Sequence, residues 1–359
     1  MAEFNDCFQN KRVLITGHTG FKGSWLALWL KELGAKVSGL AMDPETKPNH
    51  WDLLELSCDD TRVDIRDALS VQRVIGDNEP EIVFHLAAQS LVRRSYVVPL
   101  GTWETNVMGT AHVLEACRHT PTVRAVVCVT TDKCYENKER VWGYRESDRL
   151  GGHDPYSASK AGAELVASSY RRSYCSDPAA PLIATARAGN VIGGGDWSED
   201  RLIPDLVRAL GQDRSLEIRM PEATRPWQHV LESLSGYLCL GQALLCGDRA
   251  AAEAWNFGPD TEGNAKVSDV LTRFETHWAR FKWFCPEQQQ PHEAALLNLD
   301  STKARTRLQW KPVWSLDEAI QHTAHWYLAW SDQGQVISGA QLTRYREDAR
   351  SAGLNWALG

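Results

Sequence analysis

A tyrosine stands four residues ahead of a lysine in Asp154-Pro155-Tyr156-Ser157-Ala158-Ser159-Lys160, and the helix-forming run Ala161-Gly-Ala-Glu-Leu-Val-Ala follows. Residues four apart on a helix share a face, so the Lys160 ammonium can lie near the Tyr156 phenol. A free phenol titrates near pH ~10 and an adjacent cation favours the phenolate, so the pair is expected to accept a hydroxyl proton near neutral pH. The spacing also fits two exposed polar residues at a helix start. The surrounding elements have to decide between the two readings.

Those elements begin with Arg12-Val-Leu-Ile-Thr16, a short buried-strand pattern. Gly17-His-Thr19-Gly20-Phe21-Lys22-Gly23 follows, and then the helical run Ser24 to Leu33, closed by Gly34. Strand, three glycines at three-residue spacing and helix make the first turn of a dinucleotide-binding unit. The glycines admit a pyrophosphate to the backbone, and the helix N-terminus favours its negative charge. Lys36 to Ala41 reads as the second strand. Its end holds Ala41 where an acid would meet the adenosine ribose, with Asp43 just beyond. No arginine lies between Gly39 and Thr46 to meet a 2′-phosphate, which favours NAD over NADP. Thr61 to Arg66 reads as a third strand, in which Asp64, beside Ile65, either meets the adenine amine or caps the helix starting near Asp67.

Glu81 to Leu86 is the fourth strand, with His85 expected as a packed core residue. Ala87-Ala88-Gln89 follows, where small side chains let a cofactor lie against the backbone. A long helical segment runs from Leu100 to Thr120, and Arg124 to Val129 is the fifth strand. That strand delivers Thr130-Thr131-Asp132-Lys133 to the carboxyl edge of the sheet, where ligands of open α/β folds bind. Pro181 to Arg187 is the sixth strand, Asn190 to Trp197 is a glycine-rich loop at its end, and Trp255 to Gly258 is a returning strand. Helices and loops fill the remainder, including a helix around Asp317 to Trp330. His292 and Glu293 are site candidates for which a capped loop is the plainer reading.

The strand–helix alternation implies an α/β, Rossmann-type, doubly wound parallel sheet covered on both faces, with a smaller C-terminal substrate-binding lobe. Residues 1–187, joined by a returning segment near 229–259, are expected to bind NAD; 188–228 and 260–359 are expected to bind the substrate. The 43% hydrophobic content supports a large core, and the net charge of -7 argues against nucleic-acid binding. An anionic ligand then needs local arginines, for which Arg201 and Arg225 are candidates. Nine cysteines without a Cys-x-x-Cys pair fit reduced thiols better than disulfides or a zinc site, and no metal is expected. Fifteen tryptophans spread along the chain read as core or interface packing. No leader or membrane-spanning stretch is read, so a cytoplasmic, membrane-free protein is expected.

Gly17-x-x-Gly-x-x-Gly23, His85-Leu-Ala-Ala-Gln89, Thr131-Asp132 and Tyr156-x-x-x-Lys160, in this order, resemble the extended short-chain dehydrogenase/reductase superfamily over nearly the whole chain. Within it, Gly17 to Trp25, Thr131-Asp-Lys-Cys-Tyr135, Asn190 to Trp197 and Arg225-Pro-Trp-Gln-His229 resemble the CDP-glucose 4,6-dehydratases. The resemblance implies NAD as cofactor, CDP-D-glucose as substrate, Thr131 near the sugar O4, Asp132 as general acid, and Lys160 also on the nicotinamide ribose. It places Gln89, Asn190, Arg201, Arg225 and His229 toward the substrate. It implies a homodimer or dimer of dimers, with the helices beginning near Leu100 and Ser157 pairing across a four-helix interface. The dTDP-sugar relatives carry Asp-Glu where this chain has Asp132-Lys133. Lys133 is then either a C5 base made neutral by burial or a cation stabilising an enolate. A dehydratase or epimerase for another nucleotide sugar and a catalytically silent NAD sensor are the alternatives; the four groups Thr131, Asp132, Tyr156 and Lys160 argue against the sensor.

Overall fold

The structure is a computed structural model that describes residues 3–278, 281–286 and 294–358. Strands β1 (Arg12–Thr16), β2 (Lys36–Ala41), β3 (Asp59–Arg62), β4 (Ile82–His85), β5 (Ala125–Val129) and β6 (Leu182–Ala188) precede two short strands, β7 (Asn190–Ile192) and β8 (Leu216–Glu217). Then come β9 (Thr224–His229), β10 (Ala254–Phe257), β11 (Asn264–Lys266) and β12 (Trp283–Phe284). A seven-stranded sheet in the order β10-β6-β5-β4-β1-β2-β3 is parallel throughout. The chain leaves β1 toward β3 and returns to the other side of β1 at β4. This reversal opens a crevice beyond the carboxyl ends of β1 and β4. The returning strand expected near Trp255 pairs with β6 as β10. A three-stranded sheet β11-β9-β7 and the pair β12-β8 stand outside the large sheet.

The helices, in chain order, begin with α1 (Phe21–Glu32), α2 (His50–Leu54), α3 (Ala68–Asn78), α4 (Val92–Val97), α5 (Pro99–Trp103) and α6 (Gly109–Arg118). The 20-residue α7 (Pro155–Tyr174) precedes α8 (Leu202–Gly211), α9 (Val230–Leu245), α10 (Val267–Glu275) and α11 (Thr302–Arg307). Three C-terminal helices follow: α12 (Leu316–Gln333), α13 (Ser338–Ser351) and α14 (Asn355–Leu358). One face of the large sheet packs on α3, α6 and α7 through Leu14, Val83, Val113, Val126 and Ala167. The other face packs on α1, α9 and the C-terminal helices, in a core that holds Trp25, Trp29, Trp255, Trp310 and Trp326. The tryptophans expected as packing residues supply much of that core.

Three expectations change in detail. The third strand ends at Arg62, so Asp64 lies in the turn beyond it; Asp67, and not Asp64, caps α3 by accepting from Ser70 N. The helix expected from Leu100 to Thr120 is α5 and α6 joined by a π turn, Glu104–Met108. Asn106 in that turn accepts from Gln89 N and donates to Gln89 O and to the Ser159 hydroxyl. A wider turn there lets one side chain join the end of β4 to α7. The glycine-rich loop after the sixth strand also opens with β7, which pairs with β9. All nine cysteines are free thiols, and no helix among the described residues is long and apolar enough to cross a membrane.

Candidate active site

At the crevice lies a cavity of about 1010 Å³, one end of which is the glycine-rich turn. Gly17 has φ 76°, in the left-handed region, and a Cβ there would stand 2.6 Å from Ala87 N. A Cβ on Gly23 would lie 2.1 Å from Gly17 O. Both glycines are thus required by close backbone approach. The N-cap of α1 is Gly20, so no side chain covers the helix's first N–H groups where they meet the cavity. Thr19, Phe21, Lys22, Leu86, Ala87, Ala88 and Ile65 line the same arm. Bare backbone donors beside a glycine cradle fit a dinucleotide pyrophosphate. Asp43 and Asp64 sit at the far rim. Asp43 is largely exposed and 3.5 Å from Arg62, and Asp64 is held by the backbone N and guanidinium of its neighbour Arg66. Arg62 comes from β3, so an arginine reaches this rim although the β2 loop has none.

The catalytic candidates converge where β5 ends and α7 begins. Asp154 caps α7 by accepting from Ser157 N at 2.9 Å and Ser157 Oγ at 2.6 Å, and Pro155 fills the first helical position. This fixes the turn that carries Tyr156 into the cavity. Asp132 is 2% exposed; its Oδ1 accepts from the Thr131 hydroxyl at 2.9 Å, while Oδ2 is buried without a partner. Burial raises its pKa, opposed chiefly by the Lys133 charge and the Thr131 hydrogen bond. Burial favours the protonated form of this carboxyl, and its unpartnered oxygen is left to meet a ligand. Lys133 is half-buried on the cavity wall, its N–H bonded to the Thr131 hydroxyl.

Tyr156 departs from the expectation drawn from its spacing to Lys160. Burial pushes the phenol up to about 12, and the Thr131 hydrogen bond is the main opposing influence. The Lys160 ammonium instead donates to Val129 O at 3.2 Å, and its own pKa falls to about 8 through burial. Helical spacing puts both residues on the cavity wall, with the amine hydrogen-bonded to the last carbonyl of β5. Lys22 adds a second depressed amine, at about 7 for the same reason, hydrogen-bonded to the Tyr237 hydroxyl at 3.2 Å.

The third arm holds Asn190, Arg201 and Arg225. Arg201 donates to Asp196 Oδ2 at 2.9 Å and to Ser90 Oγ at 3.2 Å. Arg225 is 3% exposed, with Nη1 on the carbonyls of Thr224 and Ala295. Gln89 lines the wall, but its amide is spent on Leu91 and Thr102.

Residues 14–323 match the family model described as GDP-mannose 4,6 dehydratase. The chain belongs to that family. It is 47% identical over 331 residues to the CDP-glucose 4,6-dehydratase of Salmonella typhimurium, covering 90% of this chain and 92% of the relative. The dTDP-glucose 4,6-dehydratase of Shigella flexneri is 25% identical over 89% of this chain and 93% of its own. Among solved structures, the dTDP-glucose 4,6-dehydratase of Streptomyces venezuelae with NAD bound has a TM-score of 0.73 at 25% identity, covering 88% of this chain and 96% of that one. The UDP-glucose 4-epimerase of Thermus thermophilus, with a TM-score of 0.77 at 23% identity over 88% and 98% of the two chains, shares the fold.

Among the described candidates, His229 alone lies outside this family member's cavity. It is fully buried, its Nδ1 accepts from Leu231 N at the start of α9, and its ring packs 4.8 Å from that of Trp314. It caps a helix under an indole, and its other ring nitrogen, Nε2, is buried without a partner behind Gly193 of the cavity wall. His292 and Glu293 fall outside the described residues. Several cavity residues escaped the sequence reading: Ser90, Arg93, Asp196, Asp200 and Arg219. Asp200 accepts from Arg93 at 3.0 Å and stands 3.9 Å from Arg219. Nothing in the sequence pairs loops this far apart.

Proposed function

We propose that the chain is a lyase converting CDP-D-glucose to CDP-4-keto-6-deoxy-D-glucose and water, using NAD as a resident cofactor. The observation that carries the proposal is a buried Asp132 carboxyl with one unpartnered oxygen, set beside Tyr156, Thr131 and Lys133 in one cavity with a glycine-rich cofactor cradle. The 47% relative supports the cytidine nucleotide, because the dTDP-sugar dehydratases stand at about half that identity. When bound, NAD supplies the hydride acceptor for C4, the hydride donor for C6, and a positive ring that favours the Tyr156 phenolate.

Tyr156 as phenolate takes the O4 proton while Thr131 holds that oxygen. Asp132 gives its proton to the C6 hydroxyl, which leaves as water once the C5 proton is removed; a C4 ketone makes that proton acidic. Lys133, on the same wall, is the candidate base. Lys160 orients the nicotinamide ribose, and Arg201 and Arg225 meet the diphosphate. In this reading residues 1–187 with the segment near 229–259 bind NAD. Residues 188–228 and 260–359 bind the nucleotide sugar, and two or four copies assemble through the helices near Leu100 and Ser157.

Incubation with a panel of nucleoside-diphosphate glucoses and NAD tests the proposal. CDP-glucose should give the 4-keto-6-deoxy product without net NADH. Stoichiometric NADH without loss of water would replace the lyase by a simple dehydrogenase, and preference for another nucleotide would reassign the substrate.

A further inference from the structure

Behind the catalytic centre a carboxylate and a guanidinium are buried together. Glu164 stands one helical turn past Lys160 on α7 and is 1% exposed, and Arg187 in β6 is 3% exposed. Arg187 Nη2 donates to Glu164 Oε2 at 2.7 Å. Removing two charges from water costs several kcal/mol per ion, and well-packed apolar residues often serve stability as well or better. A buried pair here calls for a reason other than packing.

The reason lies in what the pair holds. Glu164 Oε1 accepts from the Thr130 hydroxyl at 2.5 Å, and Oε2 accepts from the Thr185 hydroxyl at 2.8 Å. Arg187 Nη1 donates to the Tyr135 hydroxyl at 2.7 Å, and the guanidinium lies 4.9 Å from the centre of that ring. Tyr135 passes the chain of bonds on to Asn256 Oδ1 at 2.8 Å. Thr130 and Tyr135 are the residues on either side of Thr131-Asp132-Lys133-Cys134. Between them the backbone forms only a three-residue 3-10 turn, Asp132–Cys134, too short to fix itself. Tyr156 is carried by the Asp154 cap and the helix that follows, and meets the segment through its hydrogen bond with Thr131.

We infer that Glu164 and Arg187 are positioning residues: the pair clamps both ends of the acid–base segment and so sets Asp132 and Lys133 against Tyr156. The inference rests on the dehydratase reading above. Slackening the clamp displaces Asp132 and Lys133, which eliminate water, more than Tyr156, which takes the O4 proton and rides on α7. Displacement on the scale of an ångström costs about a hundredfold in rate.

The variants are Tyr135→Phe, which keeps the ring and removes the hydroxyl, and Glu164→Gln, which removes the charge. For each, thermal unfolding, calorimetric binding of NAD and of CDP, kcat and KM are measured, and single turnovers are analysed for CDP-4-ketoglucose and for deuterium uptake at C5. Tyr135→Phe should bind both ligands as the wild type does. Its kcat should fall about ten- to a hundredfold at nearly constant KM, with oxidised but undehydrated sugar accumulating. Glu164→Gln should shift the same partition further and lower the melting temperature. Unchanged partition in folded Tyr135→Phe, whether kcat holds or falls, would overturn the inference. Absence of any 4-ketone from the wild type with CDP-glucose would instead overturn the dehydratase reading.

Discussion

A carboxyl that protonates a leaving hydroxyl must hold its proton; burial shifts Asp132 in that direction, and one of its oxygens is left for the substrate. Asp132→Asn keeps the shape and removes the proton. Elimination should fall about 10²- to 10⁴-fold while C4 oxidation survives, seen as accumulation of CDP-4-ketoglucose. Tyr156→Phe should do the reverse: calorimetry should find NAD and CDP-glucose binding intact, and rapid-quench analysis should find no C4 ketone. Arg225→Ala removes a charge-assisted contact worth about 1.5 to 3 kcal/mol, so KM should rise roughly ten- to a hundredfold. Unchanged binding of CDP would move the diphosphate elsewhere. At this scale the sequence made Thr131, Asp132, Tyr156 and Lys160 legible as neighbours, because helix period and strand ends are local properties. It did not reveal that Lys160 turns to the Val129 carbonyl, since that partner comes from another element. The cap that His229 makes was not legible for a related reason: a histidine at the end of Thr224-Arg-Pro-Trp-Gln-His229 looks alike whether it faces a cavity or caps a helix.

Elements explain which parts of the chain tolerate change. The β1–α1 turn was legible because its glycines sit at fixed offsets between a strand and a helix, and the backbone contacts show why. Gly23→Ala would drive a methyl into Gly17 O, so NAD affinity should drop at least about tenfold by calorimetry with the large sheet still formed. Joints between distant elements were not legible. His50, at the start of α2, shares hydrogen bonds with Ser24 of α1 at 2.8 Å and Ser338 of α13 at 2.7 Å. Burial lowers its pKa from the ordinary 6.5 to about 3. The unfolded chain therefore binds this proton first as pH falls, so the stability it contributes is present above pH 6.5 and is lost progressively toward pH 3. Relative to His50→Gln, the wild type should lose about 2 kcal/mol more between pH 7 and pH 5. Urea titrations at the two pH values measure the difference, and an equal loss in both proteins would place the proton-linked stability elsewhere.

For the whole molecule, the apolar residues left on the surface bear on assembly. Leu100 is 76% exposed, Trp103 41%, Met108 51% and Leu165 62%. The first three lie on α5 and the π turn, the fourth lies on α7, and these helices pack side by side. A single chain gains nothing by leaving large side chains of adjacent helices in water, whereas a two-fold partner presenting the same helices would cover them in a self-complementary, four-helix contact. Both helices expected from the resemblance to pair across a subunit boundary carry exposed apolar groups, as do Leu69 on α3, Val97 on α4 and the Val141-Trp142 loop. Covering α7 on its outer face also stiffens the helix whose inner face carries Tyr156 and Lys160, so assembly and catalysis should be linked. The double substitution Leu100→Glu with Leu165→Glu places like charges in the centre of that contact while leaving the cavity walls unchanged. Sedimentation should give at least a dimer for the wild type and a monomer for the variant. The variant should also melt at a lower temperature and turn over more slowly at saturating CDP-glucose. A wild type that sediments as a monomer, or a variant that remains dimeric with full activity, would assign this apolar surface another partner.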